Sequence, residues 1–420
     1  MTTISTSFND LVSADRIAGT LYTSEAIFAA EQRKIFEGGW VWLAHESELG
    51  EIGAFKTTRL GQQPVIVTRT ANGDIVTLLN RCRHRAAAVC QLERGKAARF
   101  TCGYHGWTYA LDGKLIGVPQ PEGYEGVLDK ADYPLKSVRT EAYGGLIFAS
   151  LRDDVEPLTD FLAGAKLWID LFNKQSAGFP LVTLGEHKFE FAGNWKIPME
   201  NTTDGYHLPV VHNSYMRFIN SETADRLAAV MASDAVYCET LGNGHSVGIF
   251  DVDAIDLDVP SNQPMPPHYD KLRAELEQIH APDQVTRILR GVGGVGFNLN
   301  IFPNIALSGA FFRELRPLGV DRTEVRHIAL GMGGGPDCAN MARLRLHEQF
   351  QGPAGLGSSD DREAWERVAI GARAGQSMPV LLNRGINREH QRGGATVAHA
   401  TDELGMRTAY AQWKKVMTDD

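Results

Sequence analysis

Cys82-x-His84 and, after seventeen intervening residues, Cys102-x-x-His105 offer two thiolates and two imidazoles in mixed pairs. That donor set suits a two-iron, two-sulfide cluster in which the cysteines bind one iron and the histidines the other. A structural zinc knuckle is the alternative, but it groups like ligands, opening on a Cys pair and closing on a His pair. The neighbours Arg81, Arg83 and Arg85, and Gly103-Tyr104-His105-Gly106-Trp107, add cations, aromatics and glycines. Glycine lets a backbone approach a cluster closely.

About a hundred residues on lies Asn201-x-x-Asp204-x-Tyr206-His207-x4-His212. Two imidazoles beside a carboxylate are ligands of a non-haem Fe(II) site with open positions. One site that stores an electron and one that can take O2 together imply oxygen activation. His207 and His212 are five apart, which on a straight helix turns them about 140° away from each other. Both can meet one metal only if the helix is interrupted, and Pro209, with no N–H to donate, is expected to interrupt it. The plainer reading of both is as surface or core histidines.

Cys82-Arg-His84 with Cys102-Gly-Tyr-His105-Gly-Trp-Thr-Tyr resembles the Rieske signature of aromatic-ring-hydroxylating dioxygenases. Asn201-Thr-Thr-Asp204-Gly-Tyr206-His207 is similar to that family's iron motif, so the resemblance spans the whole chain. Gly103 stands where the family commonly has Pro, at a loop position that is not a ligand. The resemblance implies that Cys82, His84, Cys102 and His105 hold a Rieske [2Fe–2S] cluster. It implies that His207 and His212 bind a mononuclear Fe(II), with Asn201 and Asp204 as catalytic neighbours and Asp204 a bridge, not a ligand. The third ligand is then a carboxylate after Gly352-Pro353-Ala354-Gly355. Spacing from that stretch selects Asp361, with Asp360 as its competitor.

By the same resemblance the chain is the large (α) subunit of a multicomponent terminal oxygenase. It would hydroxylate an aromatic small molecule with O2, commonly to a cis-dihydrodiol. Electrons from NAD(P)H would arrive through a separate reductase or ferredoxin. A head-to-tail homotrimer, often with a β subunit (α3β3), is implied, the cluster of one chain serving the iron of its neighbour. Asp204 can join them physically, since a ligating histidine normally donates its second N–H to a carboxylate; the plainer role is a helix cap. Two other functions compete: a monooxygenase or demethylase on the same scaffold, and a non-catalytic electron-transfer Rieske protein. The latter would not need Asn201 to His212 or Asp361.

The elements that must carry these residues can be read from pattern. Ser24 to Gly38 reads as a helix capped by Ser24 and ended by Gly38. From Trp40 to about Ser150, short β-rich runs such as Pro64–Thr68, Ile75–Leu79 and Gly145–Ala149 alternate with turns, Asn72-Gly73 and Asp112-Gly113 among them. Glu156–Phe172 turns helical, with Leu158, Phe161, Leu162, Ala165, Trp168, Leu171 and Phe172 on one face. Strand-like runs come next at Phe297–Ile305, Phe311–Arg316 and Thr323–Leu330. Helices are expected at Pro336–Phe350, Asp360–Ala374 and Asp402–Met417, the last burying Leu404, Ala409, Trp413 and Met417. The expected fold is α+β: a small all-β Rieske domain (40–155) inserted in a larger catalytic domain (1–39 and 156–420) of antiparallel sheet with flanking helices.

A chain of 420 residues favours two domains. Its formal charge of -9 argues against nucleic acid as a main partner. Five cysteines, an odd count spread widely, do not make a disulfide framework. The first ten residues show no secretory leader, and no apolar run is long enough for a membrane span. A reducing cytoplasm is the expected compartment. Gly291-Val-Gly293-Gly-Val-Gly296 matches a dinucleotide fingerprint, but the next residues, Phe297 to Pro303, are β-like instead of helical, so a nicotinamide cofactor is not expected. Arg217, five residues past His212, could hold a substrate carboxylate bidentately; a surface or subunit-contact role is the plainer reading. A benzoate- or salicylate-like substrate is therefore a leaning. Pocket residues are expected after His212, around Phe297–Ile301 and near Phe311.

Overall fold

The computed structural model describes residues 8–218, 225, 228–261, 269–375 and 378–419. The chain divides into two compact units, residues 31–161 and residues 1–30 with 162–420.

In the first unit, Ala54–Leu60, Gln63–Arg69 and Ile75–Leu79 pair as consecutive antiparallel strands. Asn72-Gly73 closes the second hairpin, and Gly73 takes the positive φ of +91° that the turn requires. Val41–His45, Leu146–Ser150, Ser137–Tyr143 and Arg94–Lys96 complete a seven-stranded sheet. A separate three-stranded sheet joins Phe100–Thr101, Thr108–Tyr109 and Leu115–Gly117, turning at Asp112-Gly113. Phe55, Ile66, Leu78, Trp107 and Tyr109 form one buried core with Cys82 and Cys102. Ile66 and Leu78 are fully buried there, and each stabilises the unit by about 2 kcal/mol. The two thiols are thus core groups, not surface ones.

Among the described residues the second unit is built on a sheet of nine antiparallel strands. Their spatial order is Leu181–Phe191, Arg322–Met332, Phe311–Gly319, Ile305–Gly309, Val295–Ile301, His245–Ile249, Tyr237–Gly242, Ala395–His399 and His390–Arg392. The helix expected over 156–172 is two, Leu158–Leu162 and Ala165–Lys174. Ala163 breaks it with φ +45°, and Gly164 then donates its N–H to the Leu241 carbonyl at 2.9 Å. Trp168 packs edge-on against Phe297 and Phe172 against Phe312, which seats the second helix on the sheet.

Helix Ser358–Ala374 buries Ser358, Asp361, Trp365 and Ala369, a spacing of three or four that makes one face. Trp365 packs against Phe189 and Phe191 of the long edge strand, so the rotation of this helix is fixed one turn beyond Asp361. Helix Leu404–Thr418 buries the expected Leu404, Ala409, Trp413 and Met417. Among the described residues no helix is long and apolar enough to cross a membrane.

Candidate active site and metal centres

Cys82 and Cys102 open two loops with the same hydrogen-bond pattern. The Ala86 N–H donates to the Cys82 carbonyl and the Gly106 N–H to the Cys102 carbonyl, both at 3.0 Å. The Cys82 N–H donates to Ala87 and the Cys102 N–H to Trp107, both at 2.8 Å. Closing each loop takes a left-handed residue four places after the cysteine: Gly106 at φ +70° and, less comfortably, Ala86 at φ +62°. The loops bring the His84 and His105 rings to 4.5 Å between centroids, with Trp107 stacked on His84. The Tyr109 hydroxyl lies 3.3 Å from Cys82 Sγ and accepts the Arg83 N–H at 3.0 Å.

These residues fit a [2Fe–2S] group. The thiols are buried and all five cysteines are unpaired. His84 keeps a buried Nδ1 without a hydrogen-bond partner among the described residues, while its Nε2 lies 3.3 Å from the Tyr124 hydroxyl. A buried ring nitrogen left unpaired is costly unless something coordinates it.

The second centre begins at Asn194, whose Oδ1 accepts the Lys196 N–H at the start of helix Lys196–Thr203. That helix carries Asn201 and stops at Asp204, which is extended. Asp204 Oδ1 accepts the Tyr206 N–H at 2.6 Å, turning the chain into the short helix Leu208–Val211. Pro209 does not interrupt a helix here. It sits in the first turn of a new one, where no N–H is needed. The interruption falls at His212, which is non-helical between Leu208–Val211 and Asn213–Phe218. This break puts both histidines on one side despite their spacing.

His207 Nε2 and His212 Nε2 lie 3.5 and 3.3 Å from the same atom, Asp361 Oδ1. The three donor atoms lie within 4.8 Å of one another, and His212 and Asp361 are buried. Two imidazoles and one carboxylate meeting at a point are the donor set of a mononuclear iron site. Asp360, one residue away, instead accepts the Ser214 hydroxyl at 2.6 Å. His207 Nδ1 donates to Asp204 Oδ2 at 3.2 Å. Asn201 Nδ2 donates to Asp361 Oδ1 at 3.0 Å and lies 3.2 Å from His207 Nε2. Burial pulls the His207 imidazole down, but Asp204 and Asp361 outweigh it and lift it to about 9. Burial pushes the Asp361 carboxyl up, and His207, His212 and Arg313 overcome this to hold it well below the carboxylate range. The site therefore seeks positive charge, and a divalent cation binding there displaces protons.

Arg313 was not legible as a site residue. It is buried on strand Phe311–Gly319 and donates to Asn201 Oδ1 at 3.2 Å, Thr202 Oγ1 at 2.9 Å and His327 Nε2 at 3.1 Å. Its Nη2 is 3.5 Å from Asp361 Oδ2 and its guanidinium lies over Trp365. The one signal was a cation inside the apolar run Phe311-Phe312-Arg313. Phe350 was missed too; its ring packs on His212 and on Tyr215. Arg217 is exposed in helix Asn213–Phe218 and makes no ion pair among the described residues. The glycine-rich segment runs from helix Pro282–Val292 into strand Val295–Ile301, the reverse of a dinucleotide turn. A Cβ at Gly291 would sit 2.3 Å from the Gln175 carbonyl and one at Gly296 2.1 Å from that of Asp251, so these glycines serve close packing.

Behind Asn201, Glu200 is partly buried and accepts the hydroxyls of Tyr22, at 2.7 Å, and Tyr410. Burial pushes its carboxyl up from 4.5 to about 7, although both tyrosines and Lys196 pull it down. Between those values the unfolded chain has released this proton and the folded chain has not. Stability is therefore lost as pH rises through that window, by about 3 kcal/mol at most. Glu200→Gln is expected to flatten the loss between about pH 5 and about pH 8. Urea midpoints of both proteins at the two pH values check it, and equal slopes would contradict it.

Comparison with known proteins finds two family matches along the chain. Residues 39–138 match the Rieske [2Fe-2S] domain family, and residues 181–419 match the ring hydroxylating alpha subunit (catalytic domain) family. The toluate 1,2-dioxygenase alpha subunit of Pseudomonas putida is 34% identical over 371 residues, 84% of this chain and 78% of that protein. The anthranilate 1,2-dioxygenase large subunit of Acinetobacter baylyi is 32% identical over 365 residues, 82% of this chain and 75% of that protein. Among solved structures, naphthalene 1,2-dioxygenase from Rhodococcus sp. bound to indole superposes with a TM-score of 0.80 at 26% identity, covering 96% of this chain and 94% of that one.

Proposed function

We propose, from the premise that this chain belongs to the family of ring-hydroxylating dioxygenase alpha subunits, that its substrate is an aromatic carboxylate. It is an O2-dependent oxidoreductase, the terminal oxygenase of a multicomponent system, with a Rieske [2Fe–2S] cluster and a mononuclear iron. The observation that carries the reading is the convergence of His207, His212 and Asp361 in a chain that also holds the paired Cys/His loops. The carboxylate is supported by the relatives, since toluate and anthranilate are both ring carboxylates.

In this reading Cys82, His84, Cys102 and His105 hold the cluster, and His207, His212 and Asp361 hold the iron. When bound, the cluster supplies electrons one at a time and the ferrous ion supplies oxygen activation. The chain's own part is placement. Asp204 accepts the His207 Nδ1 proton and so leaves Nε2 as the ligand atom. Asn201 and Arg313 restrain the two Asp361 oxygens, so the carboxylate cannot swing out of the centre. Phe350 covers His212 and keeps water from that side.

Arg217 is the proposed partner of the substrate carboxylate. Its exposed guanidinium keeps both forks for a ligand. The test is steady-state turnover, with a matched reductase, on benzoates and on neutral aromatics of the same size. Carboxylated substrates are expected to be preferred, and Arg217→Met is expected to raise their KM about ten-fold while leaving neutral ones alone. Equal turnover of neutral aromatics would overturn the carboxylate, and an unchanged KM would overturn Arg217.

Assembly completes the proposal: a trimer, with a β subunit, fed by a reductase or ferredoxin, in a reducing cytoplasm that suits five unpaired cysteines. Asp204 then joins His207 to His105 of the partner subunit and carries the electron between them. Asp204→Asn is expected to keep both metals, the cluster spectrum and the trimer while product formation falls about 100-fold. Near-normal turnover, or a fully active monomer, would rule this route out.

A further inference from the structure

We propose a second metal site, built from His187, His347 and Glu348, that takes a divalent ion of the zinc class. Nothing in the iron chemistry uses these residues. His187 lies in strand Leu181–Phe191 and the other two in helix Asp337–Gln351. One donor atom from each falls within 4.8 Å of the others. The two imidazoles lie parallel, 9° apart in plane with centroids at 5.9 Å, and His187 Nε2 is 2.6 Å from Glu348 Oε1.

His347 points to a ligand. It is only 6% exposed, yet neither ring nitrogen has a hydrogen-bond partner among the described residues. Leaving one buried polar atom unpaired is unfavourable, and here there are two on one ring. A metal on one nitrogen removes half of that deficit.

Two imidazoles and a carboxylate, with an exposed Glu348 leaving the fourth position to water, are a zinc-type donor set. Zinc needs each donor at about 2.0–2.2 Å, and Glu348, half exposed, can turn inward to give it. Bound metal would tie the middle of the edge strand to helix Asp337–Gln351. That helix also presents Phe350 to His212, and its Gln351 carbonyl accepts His327 Nδ1 at 3.2 Å. The expected result is a stiffer frame around the iron centre, not a second reaction.

The test uses the full chain with cluster and iron already loaded, and Zn2+ as the probe. Metal analysis after gel filtration is expected to show one zinc retained per chain with iron and sulfide unchanged, and thermal unfolding is expected to shift upward. His187→Ala and Glu348→Gln alter partly exposed side chains and are expected to keep iron, cluster and zinc-free turnover. Each is expected to weaken zinc binding at least about ten-fold, as loss of a metal-site partner does. Wild-type zinc affinity in both variants, no zinc retained by the iron-loaded chain, or zinc gained only as iron is lost would each overturn the site. These readouts do not depend on which substrate the enzyme takes.

Discussion

His207→Ala, His212→Ala and Asp361→Ala are each expected to reduce product formation below about a thousandth of wild type, with the cluster's visible spectrum unchanged. Losing a partner outside the ligand set already costs about 10–100-fold in such sites, and these residues are the proposed ligand set itself. The cluster residues share no ligand with them, so the two losses should separate. Asp361→Ala should also destabilise the fold. Arg313 is buried beside that carboxylate, and removing one partner of a buried pair costs about 3 kcal/mol or more. The histidine variants remove no partner of Arg313, so their midpoints should stay closer to wild type. Asp360→Ala, which loses only the bond from Ser214, is the control and should retain turnover. Product assay, iron content and the visible spectrum decide it. An active Asp361→Ala with a dead Asp360→Ala would move the ligand by one residue.

Cys82→Ala or Cys102→Ala is expected to remove the brown colour, the acid-labile sulfide and all turnover. In the proposed assignment each substitution takes away one of two thiolates on one iron, and no nearby group can replace a soft sulfur donor. Both sulfurs lie inside the core that contains Phe55, Leu78 and Trp107, so loss of the cluster also empties space in that core and lowers stability. Iron and sulfide analysis of the purified variants checks this. Stoichiometric zinc without sulfide in aerobically isolated, folded wild-type protein would contradict the assignment.

How much of the site is legible in the sequence depends on the range of the interactions. The Cys/His loops are local: four candidate ligands, two turns and a repeated hydrogen-bond pattern within twenty-six residues, 82–107. The histidine motif is local as well, although Pro209 has a different task from the expected one. It starts a helix, and the bend at His212 comes from that residue's own non-helical backbone. Asp361 is different. It reaches the histidines only because Trp365 and the edge strand fix the rotation of its helix, so spacing from Gly352-Pro353 could suggest it and not derive it. Arg313 left even less trace, because its partners Asn201 and Asp361 stand 112 and 48 residues away.

The fold shows the same limit. Hairpins with Asn-Gly and Asp-Gly turns were readable. The eleven-residue strand Leu181–Phe191 was not, because Glu186, His187, Lys188 and Glu190 hide its alternation. The helix over 156–172 looked continuous because nothing in Ala163 announces a positive φ.

The most direct test of the account is turnover under 18O2, with a reductase and a benzoate substrate, and mass analysis of the product. A dihydrodiol carrying both labelled oxygen atoms is the expected result. A product with a single labelled atom, or reoxidation of the cluster with no labelled product, would contradict a ring dioxygenase.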